Sequence, residues 1–324
     1  MHIPDGFLDA KTIIATGAFS TAGLGTALRQ AGKHLQSRRI PLIGLTAAFI
    51  FVAQMVNFPI ASGTSGHLIG ATLAAVLLGP SAAVIVMSSV LIVQSFIFAD
   101  GGVLALGANI FNMALVAPLC SYGIYWLLRL VLRDERGQLI AVSFAAWCAT
   151  VIASVFCAGE LAWSGTVAWG TVFPAMAGVH MLIGLGEAAV TMLVVAAIAG
   201  TRPELLNESD RPKIQEGLSP AFIYAAIIII GLVVLVVPHA SSLPDGLEKV
   251  AAALGFEQKA LTSPFVSAPL KDYELPGVHS AAGATMAAGL IGALVVFGLS
   301  FLLARVLVPH RKDATRPQAS AKQR

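Results

Sequence analysis

The second residue of the chain is a histidine, and its place beside the N-terminus gives it a chemistry that internal histidines lack. The α-amine of Met1, the amide nitrogen of His2 and the imidazole Nδ1 of His2 can close fused chelate rings on one metal ion. Planar sets of nitrogen ligands favour Ni(II) or Cu(II) among the first-row metals. No signal peptide is indicated, because the N-terminal segment lacks a basic region and an early apolar run. We therefore expect Met1 and His2 to form part of a metal site.

A second histidine, His67, can supply the in-plane position that this chelate leaves empty. It lies in SGTSGHLIG, where we expect it to begin the third apolar helix after a flexible loop rich in Ser and Gly. Taken singly, His2 is typical of a solvated tail residue and His67 of a histidine bonded to local backbone. The distribution of Lys and Arg predicts both histidines on the same side of the membrane, which favours a shared metal site.

Two polar residues near these histidines are candidates for supporting roles. Pro4 stiffens the N-terminal segment, and Asp5 with Gly6 can turn it back into a helix bundle. Asp5 would then either bond the far nitrogen of a ligand histidine or lie in an ordinary surface turn. Asn57, near the outer end of its apolar segment, could reach the site.

Other polar residues lie inside apolar segments, where an unpaired polar group is costly in lipid. His180 and Glu187 are seven residues apart and therefore share one helix face. They either line a polar track for metal passage or, as is more common, satisfy hydrogen bonds between helices. Asn109 and Asn112 belong to the same class of residue.

The composition indicates an all-α integral membrane protein, with 57% apolar and 11% charged residues among 324 and a mean hydropathy of +0.83. About 20 mainly apolar residues cross a bilayer as a helix. The third apolar segment is too short for this and is predicted to pair with the fourth as a hairpin. We predict about nine segments, at 12–30, 40–59, 67–79, 81–98, 103–132, 138–158, 175–200, 219–238 and 280–308.

Basic residues concentrate in alternate loops, which predicts the orientation because Lys and Arg favour the cytoplasmic side. Arg29 with Lys33, Arg129 with Arg133, and Arg202 mark three such loops. The N-terminus is therefore predicted outside and the C-terminus in the cytoplasm.

A polar segment at 201–218 with two prolines divides the chain as a cytoplasmic linker. It separates a seven-span body at 1–200 from a two-span addition at 219–308. The loop at 239–279 is too long for a hairpin turn and is predicted to form a small extracytoplasmic cap. Residues 309–324 form a basic tail.

Several functional classes are excluded by missing motifs. The sequence has no GxxxxGK[ST] phosphate loop, no HExxH pair and no GxSxG turn, which argues against an enzyme. No basic stripe with aromatic residues indicates nucleic-acid binding, and the three cysteines show no CxxC spacing. Active transport would then draw its energy from a partner ATPase or an ion gradient.

Four motifs resemble one known family, the CbiM/NikM group, over roughly residues 1–200. They are MHIPDGFLD at the N-terminus, MVNFPI at 55–60, SGTSGHLIGA at 62–71 and FADGGVLALGANIFNM at 98–113. Members are the substrate-capturing S components of energy-coupling-factor transporters for cobalt and nickel. The resemblance implies a seven-helix bundle whose N-terminus is outside and inserted toward the substrate. It implies metal ligands at the Met1 amine, the His2 amide nitrogen and imidazole, and the His67 imidazole.

The C-terminal part, with LPDGLE at 243–248, resembles the PDGLE domain, an accessory N-type component fused here in one chain. Together the resemblances imply a subunit that captures nickel for import across the cell membrane. Its partners would be a transmembrane T component and cytosolic ATPases, and it would need no cofactor. The alternatives are cobalt, which would supply cobalamin synthesis, and a stand-alone secondary permease built around His180 and Glu187.

Overall fold

The computed structural model describes residues 1–61, 63–206, 220–261 and 265–307. It is mainly helical, and each predicted apolar segment contains a helix. Two short strands, β1 (Phe58–Ile60) and β2 (Thr64–Gly66), form a hairpin. The helices are α1 (Ala10–His34), α2 (Ile40–Met55), α3 (Ala71–Leu78), α4 (Pro80–Val93), α5 (Leu106–Asn109), α6 (Ala117–Val131), α7 (Glu135–Trp163), α8 (Trp169–Thr201), α9 (Pro220–Gly231), α10 (Gly246–Leu254) and α11 (Ala281–Leu307).

Six helical segments of the described residues are long and apolar enough to cross a membrane. Three π-helical turns, Gln94–Phe98, Ile110–Val116 and Leu232–Val236, extend or join these segments. The six segments are Pro80–Phe98, Leu106–Val131, Glu135–Trp163, Trp169–Thr201, Phe222–His239 and Ala281–Leu307. Large apolar side chains on their outer surfaces, such as Leu193 and Leu294, are mostly exposed, as expected of a surface that faces lipid.

The remaining apolar helices are shorter or less apolar. Helix α2 has 16 residues, and α3 has only 8, which agrees with a third segment too short to cross. Gly79 alone separates α3 from α4. The number of crossings and the side that each terminus faces stay predictions.

Residues 1–8 fold back into the helix bundle through the predicted turn at Asp5 and Gly6. Gly6 has a φ of +97°, in the left-handed region that favours glycine. Met1 is 5% exposed and Ile3 is fully buried. The N-terminus is therefore inserted into the bundle.

The segment that carries His67 differs from the prediction. The expected flexible loop is the β1–β2 hairpin, in which Phe58 pairs with Gly66. His67 does not begin a helix but lies between β2 and α3, which starts four residues later. The helix cannot begin earlier because Gly70 has a φ of +77°, outside the right-handed helical region.

The C-terminal part packs closely on the rest of the chain. Helix α11 lies against α2, and a Cβ atom placed at Gly292 of α11 would be 2.2 Å from the Phe51 ring of α2. Helix α10 lies on α8 and beside β2. The predicted linker at 201–218 lies outside the described residues from 207 onward, and the predicted tail at 309–324 lies outside them entirely.

Candidate metal centre

The amine of Met1 contacts two side chains from distant parts of the chain. Its nitrogen lies 2.8 Å from Nε2 of His67 and 2.8 Å from Oδ2 of Asp245. Met1 is 5% exposed and His67 is 7% exposed. Two of the predicted nitrogen ligands are thus in direct contact inside the protein.

The ring of His2 stacks on the ring of His67, with centroids 5.1 Å apart and an angle of 19° between the planes. Its Nδ1 lies 3.0 Å from Oδ1 of Asp100. The three residues predicted to bind metal therefore converge at one place. To complete a planar chelate, Nδ1 of His2 must leave Asp100 for the ion.

Asn109, at the end of α5, holds the residue that follows His2. Its Oδ1 accepts a hydrogen bond from the Ile3 amide at 2.8 Å, and its Nδ2 donates to the Ile3 carbonyl at 3.1 Å. The amide of Gly102 donates to the same carbonyl at 2.8 Å. These bonds fix the backbone that leads to the His2 amide nitrogen.

Asp5 lies in the N-terminal turn, and its carboxylate bonds backbone amides and not a ligand histidine. Its Oδ1 accepts from the backbone amides of Leu104 and Ala105, at 2.9 and 3.1 Å, and so holds the N-terminal turn on the segment before α5. The carboxylate beside a ligand histidine is that of Asp100. It directly follows Ala99, whose left-handed backbone ends the π-helical turn.

Glu187 of α8 satisfies backbone groups beside His67. Its two carboxylate oxygens accept from the amides of Ile69 and Gly70, at 2.5 and 2.9 Å. Of the two roles predicted for Glu187, a polar track or hydrogen bonds between segments, these contacts match the second, and they join α8 to the segment before α3. Glu187 thereby positions the residues that follow His67.

His180 lies on the same face of α8 as Glu187, about two turns earlier. It lines a small cavity together with Met1, His67 and Asp245. Its Nδ1 lies 2.8 Å from the carbonyl of Met176. Its Nε2 is buried and has no hydrogen-bond partner among the described residues. His180 is therefore next to the candidate site, but it is not bonded to it.

Asn57 follows α2, and its backbone carbonyl accepts from the amide of Ser241 at 2.8 Å. Its side-chain Oδ1 is buried and has no hydrogen-bond partner among the described residues. That Asn57 reaches the site stays a prediction.

Burial and neighbouring charges set the ionisation of the site. Burial, together with repulsion by the Met1 ammonium, lowers the pKa of His67 to about 3, so its imidazole is neutral and keeps a lone pair for a metal. Burial alone would raise the pKa of Asp245, but attraction by the ammonium outweighs it and brings the pKa below the usual range. The pKa of Asp100 is likewise below its usual range, because attraction by His2 outweighs the effect of burial. Two negative carboxylates therefore flank the nitrogens.

Three residues of this site were not identified by sequence reasoning: Asp100, Asp245 and Tyr273. The hydroxyl of Tyr273 donates to Oδ2 of Asp100 at 2.5 Å, and its ring stacks on Phe98. Asp100 and Asp245 lie in the FADGG and PDGLE motifs, which are local signals of the family resemblance and do not by themselves indicate a place at the metal site. Nothing near Tyr273 in the sequence points to the site.

The donor set suits a metal ion only if backbone nitrogen takes part. Within the described ranges, no group of three or more His, Cys, Asp and Glu side chains is arranged to hold an ion. The Met1 amine and the His2 amide would supply the missing donors. Nitrogen ligands of this kind match Ni(II) or another late first-row ion.

Comparison with protein families gives two matches. Residues 2–205 match the family CbiM, described as the cobalt uptake substrate-specific transmembrane region, and residues 219–309 match the PDGLE domain. The chain is 37% identical over 308 residues to a putative fused nickel transport protein NikMN of Archaeoglobus fulgidus, covering 94% of this chain and 98% of that protein.

Other relatives are named for nickel or for cobalt transport. A fused nickel transport protein NikMN of Rhodobacter capsulatus is 36% identical and is matched over 67% of each chain. A cobalt transport protein CbiM of Desulforamulus reducens is 36% identical over 45% of this chain and 57% of its own length. The crystal structure of a transition metal transporter superposes with a TM-score of 0.58 at 33% identity, covering 66% of this chain and 98% of that one.

Proposed function

The chain belongs to the CbiM family and carries a PDGLE domain, and from this premise we propose that it is the substrate-capture subunit of an energy-coupling-factor transporter that imports nickel. It is a multi-pass membrane protein of a family that transports cobalt and nickel. Its relatives are named as transport proteins. A separate T component and cytosolic ATPases would supply the energy.

The contact between the Met1 amine and Nε2 of His67, with His2 stacked beside it, carries this proposal. An arriving ion exchanges its water for four nitrogens: the Met1 amine, the His2 amide, Nδ1 of His2 and Nε2 of His67. Binding releases one proton from the Met1 ammonium, which stays as a neutral amine, and one proton from the His2 amide. Because His67 is already neutral and buried, it needs no rearrangement of charge to bind.

Nickel is proposed over cobalt because relatives that are named as fused proteins are also named as nickel transport proteins. Cobalt, which would supply cobalamin synthesis, is the alternative, and a relative matched over 45% of this chain is named a cobalt transport protein. A stand-alone permease is less well supported. His180 and Glu187, its candidate charged pair, bond to backbone groups of Met176 and of Ile69 and Gly70.

The test is nickel and cobalt binding to the purified full chain by calorimetry. His2→Ala removes the imidazole, and one Ala inserted after Met1 keeps the imidazole but moves it out of chelate position. Both changes should abolish tight binding, whereas the control His34→Ala, at the exposed end of α1, should bind as the wild type does. Full affinity in the insertion variant would mean that the imidazole acts without the amine and would overturn the chelate.

A further inference from the structure

Asp245 reaches the metal centre from the C-terminal part of the chain. We propose that Asp245 is a positioning residue of the metal site: it holds the Met1 amine against His67 and supplies a negative charge to the bound cation. The PDGLE domain would then complete the site itself. This inference rests on the proposed function and adds a residue from outside the CbiM part.

The two oxygens of the Asp245 carboxylate have separate tasks. Oδ1 accepts from the amide of Glu248 at 2.8 Å, and Oε2 of Glu248 accepts from the amide of Asp245 at 2.9 Å. This reciprocal pair is a capping box, which fixes the first turn of α10. Oδ2 is left to face the Met1 nitrogen at 2.8 Å.

The segment before Asp245 is attached to the strand that precedes His67. Ser65 of β2 donates from its amide to the carbonyl of Pro244 at 2.8 Å and from its hydroxyl to the carbonyl of Leu243 at 2.6 Å. On the other side, Leu247 of α10 is 1% exposed. Asp245 is therefore held between two anchored neighbours and is not a mobile surface residue.

Both partners of the Met1 amine are positioned by β2. His67 directly follows β2, and the segment before Asp245 is hydrogen-bonded to Ser65 of β2. The distance between the two groups that contact the amine therefore depends on one hairpin. A change in the attachment of Asp245 would change where the amine lies relative to His67.

The charge of Asp245 compensates the positive charge of the site in both of its states. Its side chain is only 15% exposed, so water screens it poorly. In the empty site the carboxylate faces one positive charge on the amine. In the loaded site the doubly charged ion and the deprotonated His2 amide together carry one positive charge, which the carboxylate continues to face. Without Asp245, a buried cation would lose part of its compensation.

Asp245 acts through Met1 and is not itself a ligand, since the four nitrogens already fill a plane. This distinction can be measured. Nickel in a plane of four nitrogens has a visible absorption band whose position reports the donor atoms. Loss of a positioning residue should weaken binding and leave the band in place.

The experiment compares nickel affinity and the visible spectrum of the wild type, Asp245→Asn, Glu257→Gln and His2→Ala, all as full chains. Asn is as good an N-cap as Asp, so α10 keeps its first turn while the charge is lost. Glu257→Gln removes one negative charge from the same part of the chain at an exposed position outside the capping box. We expect Asp245→Asn to bind nickel about 10- to 100-fold more weakly, the range for residues that orient metal ligands. Its band should be unchanged, and Glu257→Gln should bind like the wild type.

The outcomes separate this inference from the proposed function. If His2→Ala binds as the wild type does, the proposed chelate fails. If His2→Ala loses binding while Asp245→Asn keeps it or binds more tightly, Asp245 neither positions nor compensates, and the inference is overturned. An equal loss in Glu257→Gln would assign the effect to the net charge of the C-terminal part. A shifted band would make Asp245 a ligand. Either result would also overturn the inference.

Discussion

At the scale of single residues, the side-chain amide of Asn109 fixes the position of Ile3 and so of the residues before it. It is 1% exposed and bonds both backbone groups of Ile3, so the carbonyl and the amide of that residue are fixed together. Asp5 adds a second anchor on the segment before α5. Residues 1–5 thus have a defined path although they belong to no helix or strand.

Asn109→Ala should weaken nickel binding by about tenfold, within the range for residues that orient metal ligands. The variant leaves the Ile3 amide buried without its acceptor, at a cost of about 1–3 kcal/mol that the N-terminus would relieve by moving. Isothermal calorimetry on the full chain measures the affinity.

Asn112→Ala is the matched control, because Asn112 is 2% exposed, lies three residues away and bonds Glu160 of α7 instead. It should lower thermal stability while nickel affinity stays close to that of the wild type. Equal loss of affinity in both variants would show that Asn109 acts through general stability.

At the scale of elements, α8 contacts both segments that bring His67 and Asp245 to the site. Glu187 of this helix holds the backbone beyond His67, and Gly246 at the start of α10 lies directly on His180 and Ile183 of α8. A Cβ atom at Gly246 would be 2.7 Å from Cδ1 of Ile183 and 2.8 Å from Cε1 of His180. The approach of α10 to α8 thus depends on the missing side chain of Gly246.

Gly246→Ala should push α10 away from α8 and carry Asp245 off the Met1 amine. Nickel affinity should fall several-fold, and trypsin should cut more readily after Lys249 of α10 because the first turn is no longer packed. Binding and limited proteolysis are measured on the same preparation.

Gly178→Ala provides the comparison, since Gly178 is an exposed residue of the same helix α8 and a Cβ atom there would meet nothing within 4 Å. It should leave affinity and proteolysis unchanged. Unaltered proteolysis in Gly246→Ala would argue that α10 is not held by this contact.

At the scale of the whole molecule, the two parts that match separate families share one core. Gly292 of α11 lies against Phe51 of α2 and Phe98 beyond α4, and Phe98 stacks on Tyr273. Tyr273 in turn bonds Asp100 beside His2. Packing between helices is thereby continuous with the metal centre.

Gly292→Ala should lower the free energy of unfolding by about 1–3 kcal/mol, because the added methyl group overpacks a closed interface. Since the interface joins both parts, we expect a single thermal transition in detergent that moves to lower temperature as a whole. Gly298→Ala, in the same helix with open space around it, should leave the transition in place. Two transitions, of which one alone shifts, would mean that the parts unfold independently.

The sequence by itself determined the helical segments, the short third segment, the N-terminal turn at Asp5 and Gly6, and the choice of His2 and His67 as candidate ligands. These rest on local properties: the length of apolar runs, the backbone freedom of glycine, and the adjacency of His2 to the amine of Met1. The ligand set and the orientation in the membrane remain predictions from the same source.

Only the tertiary structure decided which carboxylates stand at the site. Asp245 meets Met1 across 244 positions of sequence, and Tyr273 meets Asp100 across 173. The helix predicted to begin at His67 begins instead at Ala71, and this difference is local, because Gly70 has a φ of +77°. Hydrogen bonds between distant segments depend on how helices pack, and helix packing leaves no periodic or compositional trace near the residues that it brings together.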